Sequence, residues 1–255
     1  MSVESITPYG SAECKRTQIT KAFNAIAGRY DLINRILSLN LDTQWRRRAL
    51  RLLLPAPPAR LLDIATGTAD FAMLAARRLP QAHITGIDIS EGMLKAGRAK
   101  IAKAKLDGRI VLESGDCLAL PYAAESFDAV TAAFGVRNFE RIPAGLSEMR
   151  RVLKPGGTVL ILELSRPERF PACPLFHLYM RTALPAVSRL LSGHVREYRY
   201  LLASIKHVPQ GEAMLALLRA TGFTECRHET YTFGICSCYI GIRQKKNPSQ
   251  PRFSG

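Results

Sequence analysis

Short apolar runs alternate with stretches of helical periodicity along most of the chain. "RLLDIA" (60–65), "HITGIDI" (83–89), "RIVLESGD" (109–116), "FDAVTAAF" (127–134) and "TVLILEL" (158–164) are brief aliphatic runs, and each reads as a strand. Between them, "DFAMLAARRL" (70–79), "EGMLKAGRAKIAKAK" (91–105) and "RIPAGLSEMRRVL" (141–153) read as helices. Pro155-Gly156-Gly157 stops the third helix. A last helix is predicted over 211–221, followed by a β-rich pair, "TECRHETYTFGICSCYIGIR" (224–243). Such alternation predicts a doubly wound, mostly parallel sheet of seven strands, with ligands at the carboxyl ends of the strands. The chain reads as one domain: a helical cap over the ligand end (15–54), a core (58–165), a helical insertion (166–209), a C-terminal helix and strands (210–243) and a polar tail (244–255). The tail, "RQKKNPSQPRFSG" from Arg243 on, is expected to be disordered.

At 255 residues and 47% hydrophobic, the chain has enough apolar material for a large core. The charge is less ordinary: 36 Lys and Arg against 21 Asp and Glu, net +15. That balance points to a polyanionic neighbour, nucleic acid or an anionic membrane face, unless it is only a well-solvated basic surface. "MSVESITPYGSAECKR" has no apolar h-region, so no signal peptide is expected. The most apolar later stretch, 170–191, is broken by Pro174, Arg181, Pro185 and Arg189 and is not expected to span a membrane. Six scattered cysteines lack metal-ligand spacing; Cys236 and Cys238 share one face of a strand and read as a buried apolar pair. The chain is expected to be cytoplasmic and reduced, with no metal.

The turn after the first strand, "LLDIATGTADFA" (61–72), resembles a nucleotide-binding turn that has kept one glycine, Gly67. Dinucleotide folds use three so that backbone can approach a pyrophosphate. A crowded turn suits a ligand without phosphates. Asp63 lies on the first strand, Asp88 ends the second within reach of ribose hydroxyls, and Asp116 ends the third where an adenine amino group needs an acceptor. Singly, such carboxylates are often helix caps. Together they indicate a nucleoside ligand, and S-adenosylmethionine is the candidate. The fourth strand ends in "AAFGVRNFE" (132–140), where Gly135 allows a tight turn and Arg137 and Asn138 follow. Arg137 reads as a surface charge near a helix end or as a guanidinium that stabilises an acceptor oxyanion.

These residues resemble the ubiquinone/menaquinone biosynthesis C-methyltransferases from about Phe23 to Arg243. "YDLINRILSLNLDTQW" (30–45) is similar to the family's first signature, and "RVLKPGGTVLILELS" (151–165) to its second. "FGVRN" (134–138) and "YRYLLASIKHVP" (198–209) are also family-like. The resemblance implies a Rossmann-like class I S-adenosylmethionine-dependent fold, with the cofactor held at positions matching Thr68, Asp88 and the pair Asp116–Cys117. It also implies methylation of a ring carbon of a polyprenylated quinol, demethylmenaquinol to menaquinol, with a ubiquinone-precursor benzoquinol as a further acceptor. Five positions depart from the pattern: Ala69 and Asn40 replace glycines, Asp42 a histidine, Ile33 a methionine and Ala133 a serine. Asp42 is expected to be the N-cap of helix "TQWRRRALRLLL".

The family scheme makes the arginine of "FGVRN" a base acting through water. Arginine stays protonated in proteins, so Arg137 is read instead as stabilising a phenolate and orienting that water. Asn138 and Tyr30 are candidates to hold the quinol oxygens, Tyr30 reading equally well as core. An insoluble acceptor implies transient contact with an anionic membrane surface, through Arg46, Arg47, Arg48, Arg51, Arg196 and Arg199, with the protein peripheral at the inner face of the cell membrane. On this reading vesicle binding is electrostatic and largely lost at about 0.5 M salt. No nucleic acid is expected as a partner, and a homodimer is left open. Two rivals remain: an RNA methyltransferase, given the net charge, and a non-enzymatic prenyl-lipid-binding protein on a cofactor fold.

Overall fold

A computed structural model describes residues 2–167, 170, 172–182 and 195–245. Strands β1 (Arg60–Ile64), β2 (His83–Asp88), β3 (Ile110–Ser114), β4 (Phe127–Ala133) and β5 (Leu153–Leu164) run parallel, and β6 (Phe223–Tyr231) and β7 (Cys236–Arg243) follow as an antiparallel pair. The order is β3-β2-β1-β4-β5-β7-β6, with β7 antiparallel to β5. The chain winds outward from β1 to β3, then returns to place β4 on the other side of β1. That reversal opens a crevice above the carboxyl ends of β1 and β4, where ligands bind in such sheets.

Both faces of the sheet are covered, as an apolar parallel sheet requires. Leu61, Leu160, Leu162 and Ile240 join one core with Phe71, Ala72 and Ala75 of α4 (Asp70–Arg78) and Leu94 and Ile101 of α5 (Glu91–Lys103). Leu62, Ile64, Val130 and Ile161 join the other, with Leu146 and Met149 of α6 (Ile142–Val152) and Met214 and Leu218 of α9 (Glu212–Ala220). The three-and-four spacing of the helices and the two-residue alternation of the strands fix which side chain meets which face. Ser90 caps α5, its hydroxyl accepting from the Met93 amide at 3.3 Å. Cys236 and Cys238 are free and fully buried in the first core, as their spacing predicts.

The cap consists of α1 (Lys15–Ile26), α2 (Tyr30–Leu37) and α3 (Leu41–Arg51); the insertion contributes α7 (Ala172–Arg181) and α8 (Val195–His207). Much of 170–191, the side chain of Arg196 and the tail beyond Lys245 lie outside the described residues. Strand β5 differs from its predicted span, starting at Leu153 rather than Thr158. Helix α6 ends at Val152 because Leu153 already turns extended to pair with Phe127, and the register with β4 shifts between Phe127 and Ala129. Pro155-Gly156-Gly157 therefore lies inside the strand as an irregularity; Gly156 is left-handed at φ 81°.

Candidate active site

Strand β1 leaves the sheet through a turn with three left-handed residues in five: Ala65 (φ 52°), Gly67 (56°) and Ala69 (66°). Only Gly67 occupies that region freely; each alanine there costs about 1 kcal/mol. Asp63 anchors the turn, accepting from the hydroxyls of Thr66 and Thr131, each at 2.7 Å. Burial outweighs these two hydroxyls and the nearby charge of Arg46, and pushes its carboxyl up to about 6. The amide of Gly67 donates to Asp88 Oδ2 and that of Ser90 to Oδ1, both at 2.9 Å. Burial nevertheless outweighs these amides and raises the Asp88 carboxyl. Asp88 lines the crevice.

The crevice has about 970 Å³ of free space counted to its mouth. All six residues expected to hold the cofactor line it: Asp63, Gly67, Thr68, Asp88, Asp116 and Cys117. Two are already engaged with the cap. The Thr68 hydroxyl donates to Asp31 of α2 at 2.5 Å, and Lys100 of α5 ties Asp31 (2.6 Å), Thr68 (3.2 Å) and Asp70 into one cluster. Asp116 accepts from the Leu118 amide at 2.9 Å and pairs with the half-exposed Arg16 of α1 at 3.1 Å. Cys117 is half-buried, and burial raises its thiol well above the usual range.

At the end of β4 the left-handed residue is Phe134 (φ 62°), not Gly135. Gly135 is needed for closeness: a Cβ there would stand 2.5 Å from the Cβ of Ala65. Arg137 is 5% exposed, which excludes the surface-charge reading. Its guanidinium pairs with the buried Glu163 of β5 at 2.6 Å and also meets the Phe134 carbonyl. Burial works most strongly against the arginine charge, but Glu163 together with Tyr30 and Tyr200 holds the guanidinium above its usual value. Asn138 lines the crevice and accepts from the Tyr200 hydroxyl at 2.9 Å.

A second, mostly apolar cavity of about 1210 Å³ abuts the first. Arg137, Trp45, Leu164, Phe176 and Met180 are among its walls. Tyr30, Arg46 and Phe134 line both spaces and so mark their junction. Tyr30 is therefore a wall residue; burial raises its hydroxyl, with Arg137 working in the opposite direction.

Asp42 does not cap α3. The helix begins at Leu41, the residue at the cap position is Asn40, and Asp42 points inward to accept from Ser38 at 2.9 Å and to pair with Arg46. Arg46 is correspondingly buried at 8%, its guanidinium 4.9 Å from the Phe134 ring centroid, and is not available to lipid. Asn40 stands at φ 61°, where asparagine tolerates what a glycine does freely. Sequence reasoning assigned no role to Glu163 or Lys100 and misread Arg46. Two signals pointed to them: a lone acid in the buried run "LILEL" needs a partner, and Asp42 and Arg46 are one helical turn apart.

A reversed-order seven-stranded sheet with acids ending β1 to β3 and a lidded crevice at the switch point defines a class I methyltransferase fold. Solved structures agree on the fold. A Thermotoga maritima S-adenosylmethionine-dependent methyltransferase, described as a possible histamine N-methyltransferase, superposes with a TM-score of 0.63 at 19% identity, over 88% of this chain and 99% of that one. Haemonchus contortus phosphoethanolamine N-methyltransferase 2, solved with S-adenosyl-L-methionine, gives 0.54 at 18% identity over 73% of this chain and 49% of that one.

The model of the ubiE/COQ5 methyltransferase family matches residues 11–243, and the chain belongs to that family. Demethylmenaquinone methyltransferase of Bacteroides fragilis is 44% identical over 240 residues, 94% of this chain and 98% of that protein. The Deinococcus radiodurans protein of the same name is 43% identical over 96% of this chain and 100% of its own length. A ubiquinone/menaquinone biosynthesis C-methyltransferase of Geobacter sulfurreducens is 42% identical over 94% of each chain.

Proposed function

We propose that the protein methylates a ring carbon of a polyprenylated quinol, demethylmenaquinol to menaquinol, using S-adenosylmethionine. The observation that carries this reading is the pair of abutting cavities, one with Asp63, Asp88 and Asp116 in its lining, the other almost wholly apolar, meeting at Tyr30, Arg46 and Phe134. The first suits a nucleoside with a cationic sulfur: Asp88 lines it at the end of β2 as an acceptor for ribose hydroxyls, and the turn of Ala65 to Ala69 has one glycine where a phosphate seat uses three. The second suits a ring with a long apolar tail. The bound cofactor supplies a sulfonium methyl group that needs no further activation.

What the chain supplies is position and charge. Phe134 and Trp45, 6.3 Å apart and edge to face, wall the acceptor side of the junction. A phenolic proton, with pKa ~10 by analogy with tyrosine, must leave to make the ring carbon electron-rich. Arg137 and Arg46 both line the acceptor cavity, and each has a buried Nε without a hydrogen-bond partner. Neither is a base, since arginine holds its proton. Both favour the phenolate, each tempered by its own carboxylate, while Tyr30 at the junction orients a quinol oxygen, Asn138 stands on the cofactor side, and water carries the proton away. The prenylated acceptor is drawn from an anionic membrane surface by a protein peripheral to it. Among the described residues no helix is long and apolar enough to cross a membrane.

Calorimetric titration with S-adenosylmethionine tests the first half. Asp88→Ala is expected to lose roughly 1.5–3 kcal/mol of affinity, the scale of a hydrogen bond to a charged group, and unchanged affinity in the folded variant removes Asp88 from the ribose. Steady-state kinetics test the second half. Arg137→Lys keeps a charge but loses the planar fork, so kcat is expected to fall while cofactor affinity holds; native turnover in Arg137→Ala would remove the residue from the chemistry.

A further inference from the structure

Three large apolar side chains of the acceptor cavity's lining face outward. Leu39, after α2, is 73% exposed; Leu175, on α7, is 61%; Phe233, in the turn between β6 and β7, is 83%. Single exposed leucines are ordinary on a protein surface. Three on separate elements that converge on one cavity are a patch, and a patch marks a contact.

Leu39 and Phe233 also sit in left-handed backbone, at φ 51° and 56°. Residues with a Cβ disfavour that region, and glycine or asparagine would sit there more easily. An apolar side chain held outward at the tip of a strained turn is thus unfavourable twice in water. The exposure penalty lapses if the tip enters an apolar medium, and that gain offsets the backbone strain.

The flanks fit a lipid surface. Arg35 lies one helical turn before Leu39 and Arg181 one turn after Leu178, itself 59% exposed; both arginines are exposed. Arg48, also exposed, lies 5.8 Å from the ring of Tyr231, at the foot of the Phe233 turn. The cap's acids are spent internally, Asp31 on Lys100 and Asp42 on Arg46. Guanidinium groups around an apolar rim match phosphate headgroups around acyl chains.

Resting on the quinol reading above, we propose that Leu39, Leu175 and Phe233 form a rim that dips into the bilayer and joins the acceptor cavity to it. The prenylated acceptor then slides from acyl chains into the cavity without crossing water. Binding through this rim has a salt-resistant component, unlike binding through surface charge alone.

Flotation on phosphatidylcholine vesicles, with and without phosphatidylglycerol and without any quinol, tests the rim. Native protein is expected to keep part of its binding at about 0.5 M salt, where the Debye length is only a few ångströms. Leu39→Asn with Phe233→Asn, a pair that left-handed backbone accepts, is expected to bind about tenfold more weakly or worse and to melt no lower than the native protein. Phe233→Trp gives an independent measure, since Trp45 is 3% exposed and forms a constant background. Its new emission is expected to be quenched by brominated acyl chains. Equal flotation of the double variant at both salt levels would overturn the proposal. So would an emission shift that follows protein concentration without vesicles, which would make the rim a self-association face. Turnover of a short-chain quinol in detergent without vesicle binding sinks the rim alone; vesicle binding without turnover sinks the quinol reading alone.

Discussion

A carboxylic acid buried between two threonine hydroxyls makes Asp63 the most pH-sensitive residue of the turn. Its folded value of about 6 lies above the ordinary 3.8, so the native state binds the proton more tightly than the unfolded chain. Stability from this group is therefore fully present below the unfolded value and is lost as pH rises through about 6, a change of about 3 kcal/mol. Asp63→Asn is expected to flatten that part of a denaturation-midpoint series between pH 4 and 7; an unaltered slope would mean that Asp63 titrates normally. Gly135 presents a steric case instead. Gly135→Ala is expected to destabilise by about 1–3 kcal/mol through its clash with Ala65. Adding Ala65→Gly, which removes the clashing atom and relieves a left-handed alanine, is expected to restore the melting temperature. Failure to restore it would place the strain elsewhere.

At the scale of elements, α3 is packed into the core through Trp45, Ala49 and Leu50, while α1 and α2 meet the crevice through polar groups. Asp31 of α2, Thr68 of the turn and Lys100 of α5 form one cluster, and Arg16 of α1 reaches Asp116. With Thr68 and Asp116 in the crevice lining, these links are the ones expected to open during cofactor exchange. Lys100→Met is expected to speed cofactor release severalfold in a stopped-flow chase and to lower stability by about 1 kcal/mol or less, the range for a partly exposed pair. An unchanged release rate would show that exchange bypasses the cap. The sheet and its flanking helices were legible in the sequence because period and turn residues act locally: β1, β2, β4, α4 and α6 fall within a residue or two of their predicted spans. Strand β5 escaped because its first residues are set by pairing with Phe127 rather than by local preference. The acids ending the strands were legible for the same local reason. Arg46 was misread and Glu163 went unassigned: the acid in "LILEL" and the one-turn spacing of Asp42 and Arg46 only hint at buried partners, and tertiary burial decides which arginine of "WRRR" turns inward.

At the scale of the molecule, the two cavities divide the work. An acid-bearing crevice over the switch point and an apolar space under α2, α3 and α7 meet at Tyr30, Arg46 and Phe134, and any reaction between their contents occurs there. The net charge of +15 serves the surrounding surface, while two cations of the cap and core, Arg46 and Arg137, are withdrawn to line the apolar side. One measurement tests this division directly: the protein is incubated with S-adenosylmethionine labelled in its methyl group and a short-chain demethylmenaquinol, and the product is analysed for the position of the label. The expected result is one labelled methyl on a ring carbon per turnover, lost on substitution of Arg137 while cofactor binding persists. Label on a quinol oxygen, or none on the quinol from a folded protein that binds the cofactor, would contradict it.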